Sequence, residues 1–142
     1  MATTRKATAH WEGSLLEGKG SVALDSSGAG TFDVNWPARS AEPNGVTSPE
    51  ELIAAAHSTC FSMALSHGLA QAGTPPTSLD TNAEVDFQPG TGITAIRIKV
   101  RGAVPGLTNE QFVEAAENAK ANCPVSQALA GVPSITLDAA LA

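Results

Sequence analysis

The chain has 142 residues, which is enough for one domain that buries roughly two-thirds of the surface its unfolded form exposes, so a core forms without disulfide or metal staples. Apolar residues make up 42% and charged residues 15%, and eight Lys and Arg against fourteen Asp and Glu leave a net charge of −6. That balance argues against a disordered chain and against a basic nucleic-acid or membrane-surface binder, and with no Tyr and 4% aromatics there is no stacking platform for single strands.

In chain order, Met1 to Trp11 is polar, with Arg5 and Lys6 but no apolar run behind them; no signal peptide is expected and the protein reads as cytosolic. Three short alternating runs separated by Gly, around Ala7 to Trp11, Ser21 to Leu24 and Thr31 to Trp36, predict an antiparallel meander. Trp36-Pro37-Ala38-Arg39-Ser40 reads as loop, and Arg39 is the only Lys or Arg between Lys19 and Arg97. Ser48-Pro49-Glu50-Glu51 is a helix start, with Ser48 as N-cap, Pro49 at the first helical position and Glu51 closing a capping box. The helix should run to about Ala72 and stop at Gly73. His57, Ser58, Ser66 and His67 interrupt its apolar stretch, which makes it a buried helix rather than a membrane span. It is apolar nearly all round, so it must be covered on several sides.

Asp80 to Phe87 and Ile93 to Val100 predict a hairpin joined through Gln88-Pro89-Gly90-Thr91-Gly92. Ile96, Ile98 and Val100 alternate with Arg97, Lys99 and Arg101, and the three cations read as a solvated outer face rather than an anion site. Thr108 and Gln111 form a second capping box, Val125 to Leu129 reads as a short helix, and Ser134 to Leu141 is a last strand. No repeat, linker or charge block divides the chain, so residues 1–142 are expected to form a single α+β domain.

Cys60 and Cys123 lie far apart in sequence and, in a cytosolic chain, are expected to be reduced at rest; they are reactive thiols, metal ligands or core residues. Cys123 precedes Pro124 at a helix start, where unpaired N–H groups favour a thiolate. Cys60 sits mid-helix without that help, so its activation needs a cation brought by tertiary structure. His57, three residues before Cys60, gives the alternative of a zinc-binding structural protein using His57, Cys60 and Cys123. The absence of a C-x-x-C pair argues against a dithiol oxidoreductase.

The run Ser48 to Ser66 around His57-Ser58-Thr59-Cys60, with Asn122-Cys123-Pro124-Val125-Ser126-Gln127-Ala128-Leu129 downstream, resembles the OsmC/Ohr family of thiol peroxidases in its OsmC branch. Both cysteine motifs stand in the family's order, and the resemblance extends from Ala9-His10-Trp11-Glu12-Gly13 to Ile135-Thr136-Leu137-Asp138. It implies that Cys60 is the peroxidatic thiol, Cys123 resolves it, and Arg39 and Glu50 complete the site. It also implies an OsmC-like α+β fold in which antiparallel sheets wrap two central helices of an intertwined homodimer. Implied too are organic hydroperoxide substrates in preference to hydrogen peroxide, re-reduction by dithiols such as lipoyl groups, and no haem, flavin or metal. Phe61, Met63 and Ile53 are candidates for an alkyl pocket or for plain core packing. Glu50 and Cys60 are ten residues apart on one helix, about 15 Å along its axis, so Glu50 of one chain is expected to meet Arg39 and Cys60 of the other, with Glu51 held in the capping box.

Overall fold

The computed structural model describes all residues 1–142 as six strands and four helices. By contacts the chain divides into two compact units, residues 1–52 and 53–142. No helix is long and apolar enough to cross a membrane.

In the first unit, β1 (Thr8–Glu12), β2 (Lys19–Ala23) and β3 (Thr31–Val34) form the expected antiparallel meander, in the order β1-β2-β3. The stretch expected to be loop is instead a one-turn helix, α1 (Trp36–Ser40). Asn35 causes it: its side-chain oxygen accepts the Ala38 N–H at 2.8 Å, and Pro37 in the first turn has no N–H to satisfy. Helix α2 (Pro49–Gln71) begins in this unit, and the division falls after Leu52, inside its first turns. Ser48 Oγ accepts the Glu51 N–H at 3.1 Å, but the capping box is only half closed, because the Glu51 carboxylate accepts from Thr47 Oγ1 instead.

In the second unit α2 ends as expected. Gly73, at φ +86°, takes the left-handed position while Thr74 N–H reaches Leu69 C=O and Gly73 N–H reaches Ala70 C=O. The hairpin strands β4 (Ser78–Gln88) and β5 (Gly92–Ala103) pair antiparallel with an irregularity between Asp86 and Phe87. They are followed by α3 (Asn109–Asn122), α4 (Pro124–Ala128) and β6 (Ser134–Leu141). The capping box at α3 is complete, with Thr108 and Gln111 each accepting the other's backbone N–H. Beside the antiparallel pairs of the α+β fold, strand β6 pairs with β5 in parallel: two helices fill the connection, a crossover long enough for parallel pairing.

The core lies in this second unit. His57, Phe61, Leu65 and Leu69 recur every four residues and form the buried stripe of α2. The three apolar residues pack with Ile96, Ile98 and Val100 of β5 and with Phe112 and Ala116 of α3. A Cβ at Gly102 would stand 2.7 Å from the Phe112 ring, so its absence lets that ring seat on β5. Arg97 pairs with Glu84 and Asp86, and Arg101 with Asp138, on the outer face. Those pairs fit the reading of a solvated surface. Met63, on another side of α2, is 68% exposed.

Candidate active site

The two cysteines are 63 positions apart in sequence and meet in space. Both are free, and their sulfurs are 3.0 Å apart. Cys60 comes from the middle of α2, beside the buried stripe, and keeps partial exposure; Cys123 stands at the N-cap position of α4, makes no side-chain cap hydrogen bond and has no exposed surface. At this separation the two thiols titrate as a coupled pair, and their surroundings act on each sulfur differently. Burial and the proton bond to Cys123 push the Cys60 thiol up, although the Val125 N–H favours its thiolate. Burial works against a Cys123 thiolate too. It is outweighed by the Cys60 thiol and by the polar groups of Ser126 and Val125 nearby, which hold Cys123 below the ordinary thiol value. The surroundings therefore disfavour the thiolate at the reachable sulfur and favour it at the buried one.

Sequence reasoning missed what stands behind this pair. His57, fully buried, lies with Nε2 2.7 Å from Ser126 Oγ. The signal was present as matched spacing, with His57 three residues before Cys60 and Ser126 three residues after Cys123. This geometry also removes support from the zinc alternative: His57 Nε2 is engaged by Ser126, and nowhere do three or more His, Cys, Asp or Glu side chains gather as a metal site would need. Phe61 is a core residue with no exposed surface, which takes it out of any alkyl pocket.

In the first unit, Arg39 and Glu50 are brought together. Arg39 Nε and Nη2 both lie 2.9 Å from Glu50 Oε1. The carboxylate is 6% exposed, so the expectation that Glu50 of one chain meets Arg39 of the other is corrected: the pair closes within one chain, because the turn of α1 carries Arg39 back onto the start of α2. Arg39 also lines an apolar cavity of about 460 Å³ together with Trp11, Leu15, Val22, Trp36 and Leu52. A guanidinium beside an apolar hollow can hold a molecule with a polar oxygen end and a hydrocarbon body.

Comparison with known proteins is consistent in kind. The family described as "OsmC-like protein" matches residues 42–138. Two curated relatives, the "Peroxiredoxin OsmC" proteins of Escherichia coli (strain K12) and Shigella flexneri, are each 45% identical over 141 residues, covering 97% of this chain and 96% of theirs. Among solved structures, an organic hydroperoxide resistance protein OsmC from Legionella pneumophila superimposes with a TM-score of 0.76 at 24% identity, covering 99% of this chain and 98% of that one. OhrB of Bacillus subtilis, named as an organic hydroperoxide resistance protein, does so with a TM-score of 0.68 at 25% identity, covering 99% and 98%.

Proposed function

The chain belongs to the OsmC-like family and is a thiol-based peroxidase, and from that premise we infer that Cys60 is its attacking thiol and Cys123 its resolving thiol. The observation that carries the assignment is the difference in access between two sulfurs 3.0 Å apart: a hydroperoxide can reach partly exposed Cys60 but not Cys123, which has no surface.

The Cys60 thiolate attacks one peroxide oxygen. An S–O bond forms, the O–O bond breaks, and the departing alkoxide takes a proton to leave as alcohol. The Cys123 thiolate then attacks the Cys60 sulfur; the S–S bond forms, the S–O bond breaks, and hydroxide leaves to become water. Two thiols and one hydroperoxide thus give a disulfide, an alcohol and water. An external dithiol, such as a lipoyl group, is the proposed reductant that restores both thiols by exchange.

The first step needs Cys60 in its thiolate form, which burial disfavours. Arg39 is proposed to supply it, lowering the Cys60 pKa and holding the peroxide, with Glu50 fixing the guanidinium through the charge-assisted pair. The apolar cavity lined by Arg39 supports organic hydroperoxides as the preferred substrates, with hydrogen peroxide a weaker one. The working unit is proposed to be a homodimer in the cytoplasm, each chain serving as one OsmC-like domain over residues 1–142. A partner would cover the exposed side of α2 at Met63, and the Arg39–Glu50 pair of one chain would serve Cys60 of the other. Consumption of cumene hydroperoxide in the presence of a dithiol tests the reading: turnover by the wild type and none by Cys60→Ser supports it, and equal turnover by both overturns it.

A further inference from the structure

His57 stands in the buried stripe of α2, where Phe61, Leu65 and Leu69 occupy the following turns, and the reaction described above does not use it. An apolar side chain would continue that stripe without the cost of burying an imidazole. The ring makes one polar contact: Nε2 lies 2.7 Å from Ser126 Oγ, and Nδ1 has no hydrogen-bond partner. With the proton on Nδ1 a buried N–H would be orphaned, whereas with the proton on Nε2 only a lone pair is left over, the better tolerated defect, so the ring donates from Nε2 to Ser126 Oγ. Ser126, almost wholly buried, belongs to α4, whose five residues are too few to hold a helix without tertiary contacts.

The bond has a counterpart one turn away. Cys60 follows His57 by three residues on α2, and Cys123, at the N-cap of α4, precedes Ser126 by three. The His57–Ser126 and Cys60–Cys123 contacts are therefore two rungs between the same two elements, and they are the side-chain hydrogen bonds that join α2 to α4 and its cap residue. Val125 and Leu129 also seat α4 on the core, but apolar packing is non-directional, whereas a buried hydrogen bond fixes one arrangement. From this juxtaposition we propose that His57 and Ser126 are positioning residues, a clasp that holds α4 on α2 and so keeps the Cys123 sulfur within reach of Cys60 when the disulfide closes. The clasp rests on the reading that the reaction closes a Cys60–Cys123 disulfide, and it serves either order of attack. Sulfurs 3.0 Å apart must approach to about 2.05 Å as the S–S bond forms, the S–O bond of the sulfenic acid breaks and hydroxide leaves. A rung one turn away leaves that approach of about 1 Å free while keeping the short helix from swinging off. His57 and Ser126 keep their own protons throughout.

Linkage makes the test reciprocal: whatever factor the clasp adds to disulfide formation, the disulfide adds to the clasp. In a dithiothreitol redox buffer, which closes the disulfide without any hydroperoxide, the equilibrium constant for the Cys60–Cys123 disulfide should fall about tenfold in His57→Leu and in Ser126→Ala, the worth of one buried hydrogen bond, and no further in the double variant. His57→Gln, which keeps an N–H near the Nε2 position, should recover most of it. Residues that only filled the core would lower stability to urea and leave the disulfide equilibrium where it was. In the wild-type protein, ¹⁵N NMR should find the His57 proton on Nε2, and its exchange with solvent should slow about tenfold when the disulfide closes, a readout that needs no variant to fold. An unmoved equilibrium constant in Ser126→Ala, or exchange that does not slow, overturns the clasp. If cumene hydroperoxide leaves the wild-type thiols free while the buffer closes the disulfide, it is the proposed reaction that fails, and the equilibrium constant still judges the clasp.

Discussion

Arg39 holds Glu50 through two nitrogens on a single carboxylate oxygen, Nε and Nη2 both at 2.9 Å from Oε1, while the carboxylate is almost wholly buried. The guanidinium is thereby fixed by a carboxylate that water scarcely screens. On the proposed mechanism Arg39→Ala leaves Cys60 with its raised pKa and lowers peroxide reduction near neutral pH by roughly ten- to a hundredfold. Arg39→Lys recovers part of it, because charge returns without the fork. Thiolate titration of Cys60 in a Cys123→Ser background checks the cause: the midpoint should rise in Arg39→Ala, and an unmoved midpoint with full turnover would assign the activating cation elsewhere.

The same pair carries a prediction about assembly. If the Arg39 and Glu50 of one chain serve Cys60 of the other, mixed dimers of Cys60→Ser and Arg39→Ala subunits contain one site with every group intact, and mixing raises activity well above that of Arg39→Ala alone. If each chain serves its own Cys60, no site is whole and mixing restores nothing.

The apolar cavity beside Arg39 predicts selectivity by substrate body. Trp11 contributes one of the two indole rings in its lining and is 41% exposed, so Trp11→Ala should leave folding little affected. KM for cumene hydroperoxide should rise several-fold while the rate with hydrogen peroxide stays unchanged, as steady-state kinetics with the two substrates will read. Equal losses with both would remove the cavity from the substrate site.

His57 gives folding stability a pH dependence of definite sign. Burial lowers its pKa, so below the ordinary value near 6.5 the unfolded chain takes up a proton that the folded chain refuses. Stability is then complete above about 6.5 and falls as the pH drops towards the folded-state pKa, by at most about 1.4 kcal/mol per pH unit. The carboxylates of Asp86 and Asp138, held below the usual range by Arg97 and Arg101, act only in a more acid window, below about 4. Urea unfolding at pH 7.5 and 5.5 should show the loss in wild type and a smaller one in His57→Gln. The reverse slope would contradict a neutral buried imidazole.

Phe61 tests the core rather than the chemistry. It has no exposed surface and lies one residue beyond Cys60 on α2, so Phe61→Ala should cost about 3–5 kcal/mol in urea unfolding. A cost under 1 kcal/mol would show that the stripe from His57 to Leu69 does not anchor the helix.

Local signals carried most of the fold. The capping residues at Ser48 and Thr108, the stop at Gly73 and the alternation through Ile96, Ile98 and Val100 each act within a few residues of the structure they specify, and each element stands close to its expected place. What escaped was decided by competition or by distance. Asn35 capped a turn that Pro37 had suggested was loop, Thr47 took the Glu51 carboxylate from the capping box, and a two-helix crossover laid β6 parallel to β5. For the candidate site, residue types alone named the thiols, and the motif order implied by family resemblance related them. The contact of His57 with Ser126 joins residues 69 positions apart, which no local periodicity encodes.

In the proposed mechanism the reachable sulfur attacks and the buried sulfur resolves. The measurement that tests it most directly is mass spectrometry after one equivalent of cumene hydroperoxide in the presence of a sulfenic-acid trap, carried out on Cys123→Ser and Cys60→Ser in parallel. One trapped adduct is expected on Cys60 in the Cys123→Ser protein and none on Cys123 in the Cys60→Ser protein. An adduct on Cys123 with Cys60 absent, and none on Cys60 with Cys123 absent, would contradict it and reverse the two roles.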